Sequence, residues 1–373
     1  MTSGALLDDE MAKRLAPKIA EIARILLELK GGKRPTILRF HHDADGIAGA
    51  LALSGIFRFF AKQQNSAVYT VKDAIRDLND LANEEKPLVV LLDFGMNAAS
   101  AEALKLLKAG GITVIVIDHH PPSGGAELIP DFCLNPWEFQ GREWKNPSAY
   151  VAGYLACEIA VACGADRERA LSLARTACSG DKSDILASNE SDVKKAMVLD
   201  FLASHVSFGN NLEFYRKVMG KSELFDSIAR QADESIEEAS TKTMAGMKKT
   251  ESEGGLLITT LALEGIVKKG EWPSSSKITT RVFDKLNARE ADTPLLCIGH
   301  TDRSLIMRLN DKAVALGLSA NDLAETIKKS MVDFVQGGGG HVKAGAIRVR
   351  EGFAKEVLGE LLREAGRIAR KDY

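Results

Sequence analysis

Within the first 120 residues, short apolar runs rich in β-branched residues alternate with amphipathic stretches, and this alternation limits the fold more than any other feature. The runs are TILRF (36–40), AVYTV (67–71), PLVVLLDFG (87–95) and ITVIVIDHH (112–120). Between them lie DGIAGALALSGIFRFFAKQ, AIRDLNDLANEE and AASAEALKLLKAG, each spaced as a helix. DEMAKRLAPKIAEIARILLELK (9–30) precedes them as a further helix, with GG as its stop. Strands that are apolar throughout need cover on both sides. The pattern therefore predicts an α/β domain, a parallel sheet between two helical layers.

At 373 residues the chain exceeds one ordinary core. From 147 to about 250 the spacing is nearly all helical. Its last segment, DSIARQADESIEEASTKTMAGMKKT, is long and polar enough to suit either a bridge between domains or a bundle helix. After ESEGG, β-rich runs return as LLITTLAL, TPLLCIGH and SLIMRLN. A helical ANDLAETIKKSMVDFV, the run GGGGH, a strand AGAIRVR and a terminal helix follow. The expected organisation is a parallel-sheet catalytic domain with a helical extension over 1–200, a helical connector over 201–250 and a smaller α+β substrate-binding domain over 251–373.

The net charge of -2 gives no bulk pull toward nucleic acid or an anionic membrane, and aromatics at 6% advertise no base-stacking platform. Bound cations can nevertheless supply charge that a sequence does not show. The five cysteines have no C-x-x-C spacing and are expected to be reduced core residues. No apolar run reaches membrane-spanning length, and the first residues lack a signal-peptide layout, so a cytoplasmic protein without membrane contact is expected.

Seven histidines occur in the chain, and four stand as two adjacent pairs beside aspartates at predicted strand ends. In a parallel sheet all those ends meet at one edge. His41, His42, Asp43 and Asp45 follow the first strand, Asp93 ends VVLLD, and Asp118, His119 and His120 end VIVID. Asp181 and Asp184, in CSGDKSD, lie in a turn that could reach the same edge. Each piece alone has an ordinary reading: DADG as a turn opening a helix, DFG as a common turn, GDKSD as a helix cap. Together they crowd more carboxylates than can stay ionised unaided. Divalent cations resolve this, and mixed oxygen and imidazole donors suit Mn²⁺, with Mg²⁺ or Fe²⁺ less favoured and Zn²⁺ possible. The donors suffice for two ions sharing a carboxylate, roughly 3.5–4 Å apart in two-metal sites, which is the chemistry of phosphoester hydrolysis.

HHDADG, LLDFG, VIDHHPP and SGDKSD resemble motifs one to four of the DHH phosphoesterase superfamily. GGGGHVKAGAI resembles the glycine-rich signature of its DHH-associated C-terminal domain. The motifs span residues 41–345, and the whole pattern is most similar to the archaeal RecJ-like single-strand exonucleases. The resemblance implies two Mn²⁺ ions, with Asp43 and Asp45 on different ions and Asp93 bridging. His119 and Asp184 complete the second ion's shell. His120 is implied to contact the scissile phosphate, with Asp118, Asp181 and His42 supporting the ligands. Several branches place the first histidine where Arg39 stands; the archaeal pattern selects His41, with His42 as the alternative. In the C-terminal domain Gly338, Gly339, Gly340, His341, Lys343 and Arg308 are implied to hold substrate phosphate, by open main-chain N–H groups and by charge. The remaining histidines, His205 and His300, are read as a core or helix-end residue and as a turn residue that could edge the groove.

The expected activity is therefore a two-metal exonuclease on single-stranded DNA or RNA, threaded between the domains. Its rivals are a small-substrate phosphoesterase (oligoribonucleotides, 3′-phosphoadenosine 5′-phosphate or cyclic dinucleotides) and a replisome scaffold. Association with replication or helicase proteins, and an oligomer, are compatible with all three.

Overall fold

The computed structural model describes residues 5–30, 35–122, 130–139, 147–206, 212–251, 254–268 and 270–370, and divides into two compact units, 1–229 and 230–373. The division falls inside the helix Ser222–Ala245, within the 201–250 segment expected to connect two domains.

Unit one opens with α1 (Glu10–Lys30), β1 (Thr36–His41), α2 (Ala44–Ser54), β2 (Phe60–Gln64) and α3 (Val71–Asp80). It continues with β3 (Leu88–Leu92), α4 (Ala101–Ala109), β4 (Thr113–Ile117) and β5 (Phe132–Leu134). The sheet order is β2-β1-β3-β4-β5 and every pairing is parallel, as the alternating pattern predicts. Ile37, Val89, Leu91, Val114 and Val116 bury one face against α3 and α4. The alternate residues Leu38, Phe40, Val90, Leu92, Ile115 and Ile117 are as fully buried on the other. There α2 and α5 (Ala152–Ala162) pack on the strands, and α6 (Arg167–Asp181) and α7 (Glu190–His205) pack behind them. Fully burying each such side chain stabilises the fold by about 1.5–3 kcal/mol.

The second strand lies earlier than the apolar pattern suggests. Gly55 ends α2 by donating to Ala52 O, and FAKQQ then pairs with β1 alone. An edge strand needs no continuous apolar run: Phe60 is 64% exposed and Lys62 reaches Asp77 and Asp80. Within the run AVYTV, residues 67–70 are a loop with Tyr69 buried, and Val71 opens α3. Tyr69 OH donates to Asp77 Oδ2 at 2.8 Å, and Thr70 caps α3.

Next come α8 (Leu212–Met219) and α9 (Ser222–Ala245), with unit two beginning at Arg230 inside α9. Its strands are β6 (Lys248–Glu251), β7 (Leu257–Ala262), β8 (Leu295–His300), β9 (Ser304–Leu309), β10 (Val335–Gly340) and β11 (Ala344–Val349). Its helices are α10 (Ser275–Arg289), α11 (Asp311–Ala315), α12 (Ala320–Ser330) and α13 (Ala354–Ala369). The six-stranded sheet has the order β10-β11-β9-β8-β7-β6 and is antiparallel except for β7 with β8, which α10 connects. This is the α+β architecture expected for the C-terminal half. The glycine run Gly337–Gly340 pairs with β11 as an edge strand. No helix among the described residues is long and apolar enough to cross a membrane.

Candidate metal centre

Three strand ends and one helix end converge at the C-terminal edge of the parallel sheet. After β1, Asp43 caps α2 by accepting from Gly46 N at 3.0 Å, while its other oxygen lies 2.5 Å from His41 Nδ1. Asp93 Oδ2 approaches the same His41 nitrogen at 3.3 Å. Gly46 has no spare room, since a Cβ there would lie 2.5 Å from His41 O. In the first turn of α2, Asp45 is fully buried and accepts from Ala152 N (3.0 Å) and Gly153 N (2.8 Å) at the start of α5.

His119 is the hub of the second grouping. Its Nδ1 lies 2.7 Å from Ser148 O, a pure acceptor, so Nδ1 carries a proton, and in the neutral ring Nε2 is the lone-pair atom facing inward. Around Nε2 stand Asp181 Oδ2 at 3.2 Å, Asp93 Oδ1 at 3.3 Å and Asp45 Oδ2 at 3.8 Å. Two ligand groups result, His41–Asp43–Asp93 and Asp45–His119–Asp181, with the two oxygens of Asp93 turned one to each. Asp93 also groups with His119 and His120. Asp93 Oδ1 and His119 Nε2 are buried atoms that make no hydrogen bond of good geometry. Orphaned, converging donors of this kind fit a divalent cation.

The electrostatics point the same way. Burial, then Asp93 and Asp181, push the Asp45 carboxyl well above the usual carboxylate range, and burial lifts Asp181 to about 6. Burial alone would lower His41 and His119, but the surrounding carboxylates overcome it and raise both well above an ordinary histidine. Protons and cations compete for the same excess of negative charge.

Asp118 lies directly against His120. Asp118 Oδ1 lies 2.8 Å from His120 Nδ1, and the buried carboxylate also accepts from His119 N and His120 N. Burial would raise Asp118, but its hydrogen bond and charge contact with His120 outweigh that and hold it low. Half of the His120 side chain is exposed. His42 packs edge-on against His41 at 4.8 Å between ring centres, and its buried Nδ1 has no partner among the described residues. Arg39 is engaged elsewhere: its buried guanidinium forms a two-point pair with Asp77 and donates to Gln64.

The fourth motif differs from expectation. Asp181, rather than Asp184, faces His119. Helix α6 runs through Asp181, and Lys182 then takes a left-handed turn (φ 56°) that sends the chain away, leaving Asp184 exposed. The spacing of GDKSD could not show which acid precedes that turn.

In unit two, Arg308 lies on β9 with Nε donating to Thr280 Oγ1 (3.0 Å) and Nη2 to Ser276 Oγ (2.8 Å), both on α10. Gly338, Gly339 and Gly340 are on β10; His341 N closes the turn to β11 by donating to Ala344 O at 2.7 Å. Lys343 pairs with Asp311 at 2.6 Å. His300, at the end of β8, is lowered by burial, and His205 Nδ1 donates to Phe201 O within its own helix.

Residues 36–176, which carry three of the four metal-site motifs, match the model of the DHH family, N-terminal domain. Over those residues the chain is similar to the DHH family. An uncharacterised protein of Methanocaldococcus jannaschii is 25% identical over 96% of this chain, which spans about half (55%) of that relative. The solved DHH domain of a member of a family of ribosomal proteins is 25% identical, with a TM-score of 0.82 over 98% of this chain and 94% of that one. RecJ of Thermus thermophilus, solved in complex with Mn²⁺, shares the fold at 16% identity (TM-score 0.57, 94% of this chain and 55% of that chain).

Beyond the DHH motifs, the structure adds residues that sequence reasoning passed over. Ser148 orients His119 through its carbonyl, its hydroxyl donates to His119 O at 2.7 Å, and Trp137 Nε1 donates to the same oxygen at 3.1 Å. Gly153 matters more. A Cβ there would lie 2.6 Å from Asp45 O and 2.7 Å from Asp45 Oδ1 and Ala177 Cβ. Only a glycine lets the α5 N-terminus approach this carboxylate, although nothing in SAYVAGY marks it. Gly153→Ala is expected to weaken divalent-cation binding about 10–100-fold, as loss of an orienting partner does. It should also cost roughly 1–3 kcal/mol of stability by overpacking. Calorimetric titration and thermal melts check both.

Proposed function

We propose that the chain is a divalent-metal phosphodiesterase acting on single-stranded nucleic acid, an exonuclease that uses two Mn²⁺. The observation that carries this reading is the position of Asp93, whose two oxygens face two separate ligand groups. His41, Asp43 and Asp93 would hold one ion; Asp45, Asp93, His119 and Asp181 would hold the other. Bound there, two cations would supply Lewis acidity and would lower the pKa of a coordinated water.

The chain's own residues do the rest. Ser148 O keeps the His119 proton on Nδ1, so Nε2 stays a ligand atom. The α5 N–H groups of Ala152 and Gly153 hold Asp45 in place. Asp118 orients His120 so that its outer nitrogen can donate to a phosphate oxygen as charge builds. Arg308 offers a guanidinium to a second phosphate of the substrate. The resemblance to RecJ-like exonucleases and the shared fold support the polymer over a small substrate.

Digestion of single-stranded DNA and RNA, labelled at either end, with Mn²⁺ tests the reading. The expected product is labelled mononucleotide from one end, and the label that is released first gives the polarity. Intact long strands alongside cleaved dinucleotides or cyclic dinucleotides would replace it with the small-substrate phosphoesterase.

A further inference from the structure

One short segment grips two of the grouped ligands at once. Within residues 147–153, Ser148 O fixes the His119 ring, and Ala152 N and Gly153 N hold the Asp45 carboxylate. Val151 opens α5 without a capping side chain, so the free N–H groups of that helix end are satisfied by Asp45 instead. The position of the segment is set by contacts that reach it from other parts of the unit.

Three side-chain hydrogen bonds do so. Trp137 Nε1 donates to Ser148 Oγ at 2.8 Å, and Ser183 Oγ, just past the left-handed Lys182, donates to Ala149 O at 2.5 Å. The third comes from the start of the chain: Tyr150 OH donates to Asp9 Oδ2 at 2.6 Å. Asp9 stands just before α1, and its other oxygen accepts from Ala12 N at 2.7 Å. Burial, then Asp9 and Asp184, push the Tyr150 hydroxyl well above an ordinary tyrosine, so it keeps the proton it donates.

The same stretch of chain is fastened a second time. Further along α5, the buried Glu158 accepts from Leu6 N at 2.9 Å and from Tyr154 OH at 2.7 Å. Tyr154 lies edge-on to Tyr150 with 6.0 Å between ring centres. Residues 6–9 thus run beside Tyr150, Tyr154 and Glu158, anchored at both ends, with Leu6 buried.

We infer that Asp9 and Tyr150 are positioning residues for the metal centre, holding the 147–153 turn so that it presents Ser148 O to His119 and the α5 N–H groups to Asp45. The inference rests on the divalent-metal reading of the site and extends it to the first residues of the chain. The Asp45–His119–Asp181 group depends on this turn. His41 and Asp43 do not, since they stand at the end of β1 and the start of α2. Loosening the turn should therefore affect one cation more than the other.

Calorimetric titration of the full, EDTA-stripped chain with Mn²⁺ tests it. Tyr150→Phe is expected to weaken one of two bound cations by about 3–10-fold, short of the roughly 10–100-fold that a direct partner of a ligand is worth. Asp9→Ser should do the same, because serine can still accept from Ala12 N but does not reach the Tyr150 hydroxyl. The double variant should be no weaker than either alone, since both changes remove one and the same hydrogen bond. Tyr154→Phe is the control. It removes a buried hydrogen bond from α5 but none that touches the turn, so its melting temperature in EDTA should fall at least as far while its Mn²⁺ affinity holds. Unchanged affinity in either variant, additive losses in the double variant, or an equal loss in Tyr154→Phe would each overturn the inference. A wild-type chain that takes up no Mn²⁺ would overturn it together with the metal reading. The expected losses, with no wild-type turnover of bis(p-nitrophenyl) phosphate in Mn²⁺, would uphold it and overturn the phosphodiesterase reading alone.

Discussion

Asp93→Asn is expected to lower Mn²⁺-dependent phosphodiester hydrolysis by about 10³-fold or more, equivalent to roughly 4 kcal/mol of lost transition-state stabilisation. The side chain is buried and its oxygens reach His41 and His119 at 3.3 Å each, which places this one carboxylate between the two ligand groups. Asparagine keeps the size and one acceptor oxygen, but it replaces the other with an NH₂ donor that repels a cation. The backbone should tolerate the change. Asp93 sits at φ 68°, a left-handed conformation that costs a non-glycine residue about 1–3 kcal/mol and that Asn adopts at least as readily as Asp. Its N–H donates to Ile117 O at 2.8 Å in either case. Thermal melts in EDTA should show the variant no less stable than wild type, because a charge has left a crowded acidic cluster. Calorimetry should count two Mn²⁺ per wild-type chain and fewer in the variant. Retention of activity within about threefold would remove the shared-carboxylate arrangement from consideration.

The second large effect separates two aspartates of the same short motif. Asp181→Asn is expected to reduce activity about 10²-fold or more, while Asp184→Asn stays within about twofold of wild type. Asp181 ends α6 with an oxygen 3.2 Å from His119 Nε2. Asp184 lies beyond the left-handed Lys182 and is exposed. Rate measurements on the two variants at saturating Mn²⁺, with metal affinity taken from titration, decide between them. A reversed order would mean that the C-terminal turn of α6 rearranges when cations bind.

Much of the site was legible because two kinds of information coincide in it. The runs ending in Asp93 and in Asp118, His119 and His120 declare themselves as buried strands by being apolar on both faces, and parallel strands must end at a common edge. Aspartates and histidines placed there are adjacent whatever the loops do. The edge strand β2 was not legible, since FAKQQ pairs on one side only and carries an exposed Phe60 and a polar Lys62. Composition does not mark the glycine run as a strand, yet pairing with β11 makes it one. Nor could spacing reveal Gly153, whose role arises from contact between helices more than 100 residues apart in the chain.

The amino-acid order alone thus determined the doubly covered parallel sheet, the return to a β-rich second half, and the gathering of acids and imidazoles at one rim. These follow from burial periodicity and from the common direction of parallel strands, both local properties summed along the chain. Tertiary structure alone decided that Asp181 faces inward and Asp184 does not, that Arg39 is committed to Asp77, and that Arg308 is held against α10 by Thr280 and Ser276. Each of those depends on the sign of a single backbone angle or on a neighbour supplied by a distant segment, and neither quantity is written in residue spacing.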